Sequence, residues 1–350
     1  MSSCHSNSTP AFTIVELLVV IVVIGILAAI TIVSYSGITN RATISSLQSD
    51  LDNSSRLLRM YQVEHGVFPT SFDGNNCPLG ATAPSPDTKY CIKPSGSNTY
   101  TYKASATNSN IFCLTSTKGT QSYNISPDTQ PLAGPCPVLS LDAGNKTSYS
   151  GTGTAWNDLS GWDNNGVLNG GATYDAAGGG VMSFDGVDDY VGAGNLGTFY
   201  DQGTISFWMN ASAVENYRNV LTTKYNGSNA CIRFEESAAG TFGVNIGNDA
   251  GTFSTGAYLS SSLTANTWYH VILIWDKTNN NIKGYLNGVN KFDKAQTLWP
   301  TTLPAVTIGE GFDLSRYWKG LISDIRIYDR AISGADTIQN FNTLKGRYGL

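Results

Sequence analysis

Glu16 is the residue whose chemistry most needs explaining. It stands near the start of a run, Leu17 to Val33, that is otherwise apolar and about as long as the roughly 20 residues that cross a bilayer. A carboxylate in hydrocarbon is costly, so an acid in such a place is read as functional and needs a partner. The natural partner is an amine. A cut after Ala11 would create one on Phe12, four residues from Glu16, within reach of the Glu16 of its own chain or of a neighbouring copy. A second set of acids lies far downstream. Asp158, Asp163, Asp185, Asp188 and Asp189 sit among glycines and asparagines and supply the oxygen ligands that a hard cation such as Ca²⁺ prefers. The competing use of the same residues is to build turns.

Catalytic chemistry has little support. After residue 137 the only glutamates are Glu215, Glu235, Glu236 and Glu310, with no Glu-x-Asp-x-Glu run of the kind that would set two carboxylates side by side for glycoside hydrolysis. Glu235 and Glu236 are adjacent, so on a strand they face opposite sides. His270, the one histidine of that region, stands beside Trp268 and Tyr269 in an apolar stretch and is expected to be structural. The expectation is a chain that is not an enzyme and has no cofactor, Ca²⁺ excepted.

The elements that would carry these residues fall into two texts. All seven Trp (156, 162, 208, 268, 275, 299 and 318) follow residue 150. Residues 1–137 carry 7 basic and 7 acidic residues, and the remainder 14 and 19. With no basic patch, nucleic acid is excluded as a main partner. Beyond the apolar run, Ile44, Leu47, Leu51, Leu58 and Tyr61 continue a helical stripe. Gly66 and Pro69 end it, which predicts one helix from Phe12 to His65. Strand patterns follow at Thr99–Ala104, Ile111–Thr117 and Gln121–Ile125. Five of the six Cys follow residue 76, and Cys77, Cys91, Cys113 and Cys136 cluster, which suits an oxidising compartment. Four cysteines allow three pairings; the sequential one, Cys77–Cys91 with Cys113–Cys136, is favoured. Cys231 is left as a free, buried thiol, and Cys4 would leave with the first eleven residues.

After Pro131, Pro135 and Pro137 the pattern changes to short strands between Gly/Asn/Asp turns, which argues for a β-sandwich. Val138–Ala143, Thr204–Met209, Tyr269–Trp275, Ile282–Leu286 before the tight turn Asn287-Gly288, and Lys319–Tyr328 are its clearest strands, with one short helix within 329–344. Trp208, Trp268 and Trp275 lie in strand patterns and read as core. Trp156, Trp162, Trp299 and Trp318 lie near turns and are candidates for exposure.

Two resemblances follow. Ala11-Phe12-Thr13-Ile14-Val15-Glu16 with its apolar run resembles the N-terminus of type IV pilins and pseudopilins. Ala11 stands where that family usually has Gly. The resemblance implies an α+β pilin, with a leader at 1–11 removed by a prepilin peptidase between Ala11 and Phe12. It further implies N-methylation of Phe12, a membrane and assembly helix at 12–65 with Glu16 serving assembly, and a head with a small antiparallel sheet at 66–137. Trp156–Gly161, Ser183–Val191, Thr267–Val271 and Gly320–Tyr328, in that order, resemble the laminin-G-like family. They imply an all-β concanavalin-A-like jelly-roll sandwich over 138–350. Together they point to a type IV pilus subunit, minor and at the tip, presenting a lectin-like domain to a surface glycan or protein. Its other partners would be fellow pilins. It would span the inner membrane once before assembly and become extracellular in the pilus. The alternatives are a pseudopilin of type II secretion or DNA uptake, and a major pilin decorated along its shaft.

Overall fold

The computed structural model describes residues 13–80, 85–225, 229–237, 240–250, 252–253, 256–303, 305–311 and 315–350. The leader, Ala11 and Phe12 therefore lie outside the described residues.

Helix α1 spans Ile14–His65. Thr13 and Glu16 start it with a reciprocal pair: the Glu16 amide donates to Thr13 Oγ1 at 3.2 Å, and the Thr13 amide donates to Glu16 Oε2 at 2.8 Å. This is the S/T-x-x-E capping box, which satisfies two donors at a helix start. The helix continues through Gly25 and Gly37. It stops where Gly66 adopts φ 79°, the left-handed conformation common just past a helix end. The chain forms two compact units, one ending at Ser46 and one spanning Leu47–Leu350. In the first unit the side chains from Leu17 to Ile32 are exposed.

In the second unit, Leu47, Leu51, Leu58 and Tyr61 are buried, the expected 3.6-residue stripe. Buried Asp50 accepts from the Ser95 amide at 2.8 Å and from Asn98 Nδ2 at 2.7 Å, which ties the loop before the head sheet to α1. Tyr61 meets Tyr90 edge-on at 5.8 Å. The head sheet is antiparallel, in the order Thr99–Ala104, Phe112–Lys118, Gln121–Ile125, Leu132–Ala133. Disulfides join Cys77 to Cys91 and Cys113 to Cys136. Cys231 lies in the strand Asn229–Glu236, and its side chain is outside the described residues.

Two large antiparallel sheets form the sandwich. The first runs Thr173–Asp175, Val181–Asp185, Lys319–Tyr328, Gln202–Ala211, Trp268–Asp276, Asn281–Leu286, Val289–Ala295, with Leu139–Leu141 pairing the end of Lys319–Tyr328. The second runs Ala257–Ser260, Phe242–Ile246, Asn229–Glu236, Arg218–Tyr225, Val306–Ile308, Tyr190–Ala193, Gly166–Asn169, Ala155–Trp156. Inward-facing Ile205, Phe207, Met209, Val271, Leu273 and Trp275 alternate along two neighbouring strands of the first sheet. They pack with Phe234, Ile308 and Trp318 in one core. Fully burying a side chain of this size is worth about 1.5–3 kcal/mol.

The outer face of the first sheet is covered over part of its width, so its central strands read as nearly continuous apolar runs. Helix α2, Gly334–Leu344, starts with a Ser333/Asp336 capping box. Phe341 and Tyr348 lie over Trp208, stacked at 5.8 and 3.9 Å. Trp156 and Trp318 are also fully buried. The reading that placed them among candidates for exposure is corrected, because both side chains enter the core between the two sheets. Trp162 is 54% exposed, Trp299 is partly buried against the core, and Trp268 is only half-buried.

The head and the sandwich are joined by specific contacts. Asn340 of α2 accepts from the Ala133 amide at 2.8 Å and donates to the Ala133 carbonyl at 2.9 Å, closing the free edge of the head sheet as a strand would. Ser126 Oγ donates to the Leu159 carbonyl, and Asn145 to the Pro127 carbonyl. At Gly161, φ 81°, a Cβ would stand 2.9 Å from the Lys103 carbonyl oxygen, so only glycine permits this approach.

Candidate functional site

Of the five acids considered as calcium ligands, the structure assembles three. Val181–Asp185 leads into a tight turn and Tyr190–Ala193 leads out of it. Asp185 Oδ1 accepts from the Val187 amide at 2.7 Å, an Asx turn, and Gly186 takes φ 86°. The turn is anchored from inside: Asp189 Oδ2 accepts from the Asp185 amide at 2.8 Å. One carboxylate oxygen from each of Asp185, Asp188 and Asp189 falls within 4.8 Å of the others. Asp185 and Asp188 are exposed, while Asp189 is buried and its Oδ1 has no hydrogen-bond partner. Burial, with the charges of Asp185 and Asp188, pushes the Asp189 carboxyl up from its ordinary value. A hard cation would relieve that repulsion, and the donor set, all oxygen, fits Ca²⁺.

Asp158 and Asp163 are not part of this cluster. Asp158 is buried and receives the amides of Ser140, Ser160 and Asn164 and the Ser160 hydroxyl, at 2.6–3.0 Å. Burial still pushes it up, despite those donors. It is a hub that organises the first turns of the sandwich. Asp163 reaches into the head, where it accepts from Ser105 Oγ, the Ala106 amide at 2.9 Å and Thr107 Oγ1 at 2.8 Å. Against the raising effect of burial, these bonds hold its carboxyl below the usual value. Of the five acids, Asp185, Asp188 and Asp189 converge, while the carboxylates of Asp158 and Asp163 are engaged by protein donors elsewhere.

The groups that would have to support catalysis are arranged for structure. Glu235 pairs with Arg316 at 2.6 Å and Arg233 at 3.8 Å. Glu236 points to the other side and is enclosed; burial pushes its carboxyl up to about 7. His270 is hydrogen-bonded with Ser206 at 2.9 Å, stacked on Trp208 at 4.7 Å and on Phe341 at 6.0 Å. Among the described residues its Nδ1 has no hydrogen-bond partner, so none of their acids completes a triad with it. Burial, reinforced by the Arg326 charge, draws the imidazole down to about 3, which keeps it neutral.

At the other end, an 18-residue window of α1 has mean hydropathy 3.1 and none of it is buried. Glu16 stands in the first turn of that helix with its carboxylate engaged by Thr13. The Thr13–Glu16 spacing, a capping box legible in the sequence, was missed as a structural use of the acid.

Comparison with known proteins separates the two ends in the same way. The N-terminal region matches type IV pilins and pseudopilins. It is 33% identical over 78 residues to the type IV major pilin protein PilE1 of Neisseria gonorrhoeae, a match covering 22% of this chain and 34% of that one. It is 29% identical over 84 residues to the type II secretion system core protein G of Klebsiella michiganensis, covering 24% and 59%. The chain thus spans about a third to three fifths of the length of these relatives. Residues 185–337 match the laminin-G-type family model described as the concanavalin A-like lectin/glucanases superfamily. Among solved structures, the botulinum neurotoxin serotype D ligand binding domain in complex with N-acetylneuraminic acid is 15% identical, at TM-score 0.49, covering 59% of this chain and 51% of that one.

Proposed function

We propose that this chain is a type IV pilus subunit, minor and tip-located, that presents its lectin-like sandwich for adhesion and carries out no catalysis. The observation that carries this reading is the pairing of an uncovered apolar helical segment, 0% buried, with a sandwich whose core is closed between its two sheets. The first suits a membrane and then a bundle of like helices; the second suits an outward-held binding module. In this reading a prepilin peptidase cuts between Ala11 and Phe12, Phe12 is methylated, and Glu16 pairs with the Phe12 amine of a neighbouring pilin in the filament. The chain spans the inner membrane once before assembly and is extracellular afterwards. The position at the tip is a steric argument: a head enlarged by residues 138–350 is hard to repeat along a packed helical shaft. Immunogold labelling of intact filaments with antibody to the sandwich tests it. Label at filament ends supports the tip, and label along the shaft indicates a decorated major pilin.

The match to a secretion core protein favours one second reading, a pseudopilin whose sandwich selects cargo. Loss of secretion with normal adhesion in a deletion strain would select it. In either reading Asp185, Asp188 and Asp189 are the residues that would hold Ca²⁺ and stiffen the turn beside them.

A further inference from the structure

The outer face of the first sheet is not covered along its whole width. Phe341 and Tyr348 close it over Trp208. Toward the edge strand Val289–Ala295, a cavity of about 510 Å³ remains between the strands and the start of α2. That volume lies within the roughly 300–1,000 Å³ usual for small-molecule sites. Ile274, Tyr285 and Ile332 belong to a small apolar cluster on this face and line the cavity. Apart from Ala331 and Gly334, its remaining lining is polar, and much of it is fixed by internal bonds. Asn281 Nδ2 donates to Asp293 Oδ1 at 2.7 Å, and Lys283 Nζ lies 3.1 Å from Asp293 Oδ2. Asn279 Nδ2 donates to Asp276 Oδ2 at 2.7 Å, and Gln202 Nε2 donates to the same oxygen at 3.0 Å.

We infer that this cavity is a binding site for a neutral oligosaccharide. The inference rests on the adhesion reading and gives it a place and a ligand class. An apolar floor suits the C–H face of a sugar ring. Carboxylates and amides around it suit hydroxyls, which both donate and accept. Each ionised carboxylate offers about four acceptor positions, so the two protein donors on Asp293 leave room for ligand hydroxyls. Hydrogen bonds from Asn279 and from Asn281, the latter with Lys283, hold Asp276 and Asp293 below the usual carboxylate range, so both remain charged. Two carboxylates against the single ammonium of Lys283 leave the cavity net negative, which disfavours sialylated and other anionic glycans. The polar groups are also already oriented, which lowers the ordering cost of binding.

The test uses the full chain in detergent micelles. Maltotriose, mannotriose, lactose and 3′-sialyllactose are titrated calorimetrically after a glycan array. At least one neutral probe should bind, and sialyllactose should bind no better than lactose. Asn281→Ala and Lys283→Ala, whose side chains lie at the surface, should each weaken the neutral probe tenfold or more with an unchanged melting curve. Asn279→Trp, which fills the mouth, should abolish binding. If the wild-type chain binds neutral glycans and these three variants bind equally well, the site is wrong while the adhesion reading stands. A clear preference for sialyllactose overturns the ligand class. If the wild-type chain binds none of the array, the glycan-adhesion reading fails and this site fails with it.

Discussion

Leu17 to Ile32, interrupted only by Gly25 and Thr31, and Val271 to Trp275 are both apolar runs, and their surroundings are opposite. The first is helical and exposed throughout. The second is a strand whose inward residues Val271, Leu273 and Trp275 enter the inter-sheet core, while Ile272 and Ile274 enter a second cluster on the outer face. Hydrophobicity alone does not tell these fates apart. Length and period do, because a helix long enough for a bilayer needs roughly 20 residues, whereas a strand turns alternate side chains to opposite faces. A run that is apolar at every position of a short strand announces a cover on both sides. Here the outward Ile272 and Ile274 pack with Tyr285, Tyr328 and Ile332.

The contrast can be broken most forcefully in the sandwich. Trp275 is fully buried, stacks on Phe199 at 5.3 Å and donates Nε1 to the Tyr200 carbonyl at 3.0 Å. Trp275→Ala should cost about 3–5 kcal/mol in chemical denaturation followed by fluorescence. Val20→Ala, in the exposed run, should change the same transition by less than about 0.5 kcal/mol. A comparable loss from both would mean that the first run is packed within the folded unit. Next in size is Asn340→Ala. It leaves the buried Ala133 amide and carbonyl without partners, a loss of about 1–3 kcal/mol. Because Asn340 bridges head and sandwich, a melting curve splitting into two steps is expected; a single unshifted transition would show that the bridge carries no coupling.

A further effect is in pH. Glu236 titrates at about 7 in the folded chain against an ordinary 4.5. Between those values the folded chain holds a proton that the unfolded chain has released, so stability falls as pH rises through this window. Glu236→Gln mimics the protonated form. It should flatten the decline seen by thermal melting between pH 5 and 8, and an unchanged slope would assign the decline to other groups.

Local patterns carried much of the fold. The end of α1 at His65, the strands Thr99–Ala104 and Gln121–Ile125, and the Asn287-Gly288 turn follow from periodicity, Gly and Pro alone. Long-range partnerships were not legible. Nothing near Asn340 says that it will close the edge at Ala133, and nothing near Asp163 says that it will reach Ser105. Trp156 and Trp318 looked like turn residues because their cover comes from distant strands. At the acidic turn, composition suggested a cation site, but only the fold separates the three carboxylates that converge from the two that do not. The outer-face cavity has no signature in the chain at all, since Asp276, Asn281 and Asp293 meet through strand pairing.

The measurement closest to the central claim concerns Glu16. In the proposed function its carboxylate pairs with a neighbour's Phe12 amine during filament assembly, beyond its local bond with Thr13. Glu16→Ala should leave the chain in the membrane fraction at the wild-type level but reduce its recovery in sheared pili at least tenfold. Glu16→Gln, which keeps a side-chain acceptor for the Thr13 amide without the charge, should be similarly impaired. Normal incorporation of both variants would contradict the account and leave Glu16 as a helix cap only.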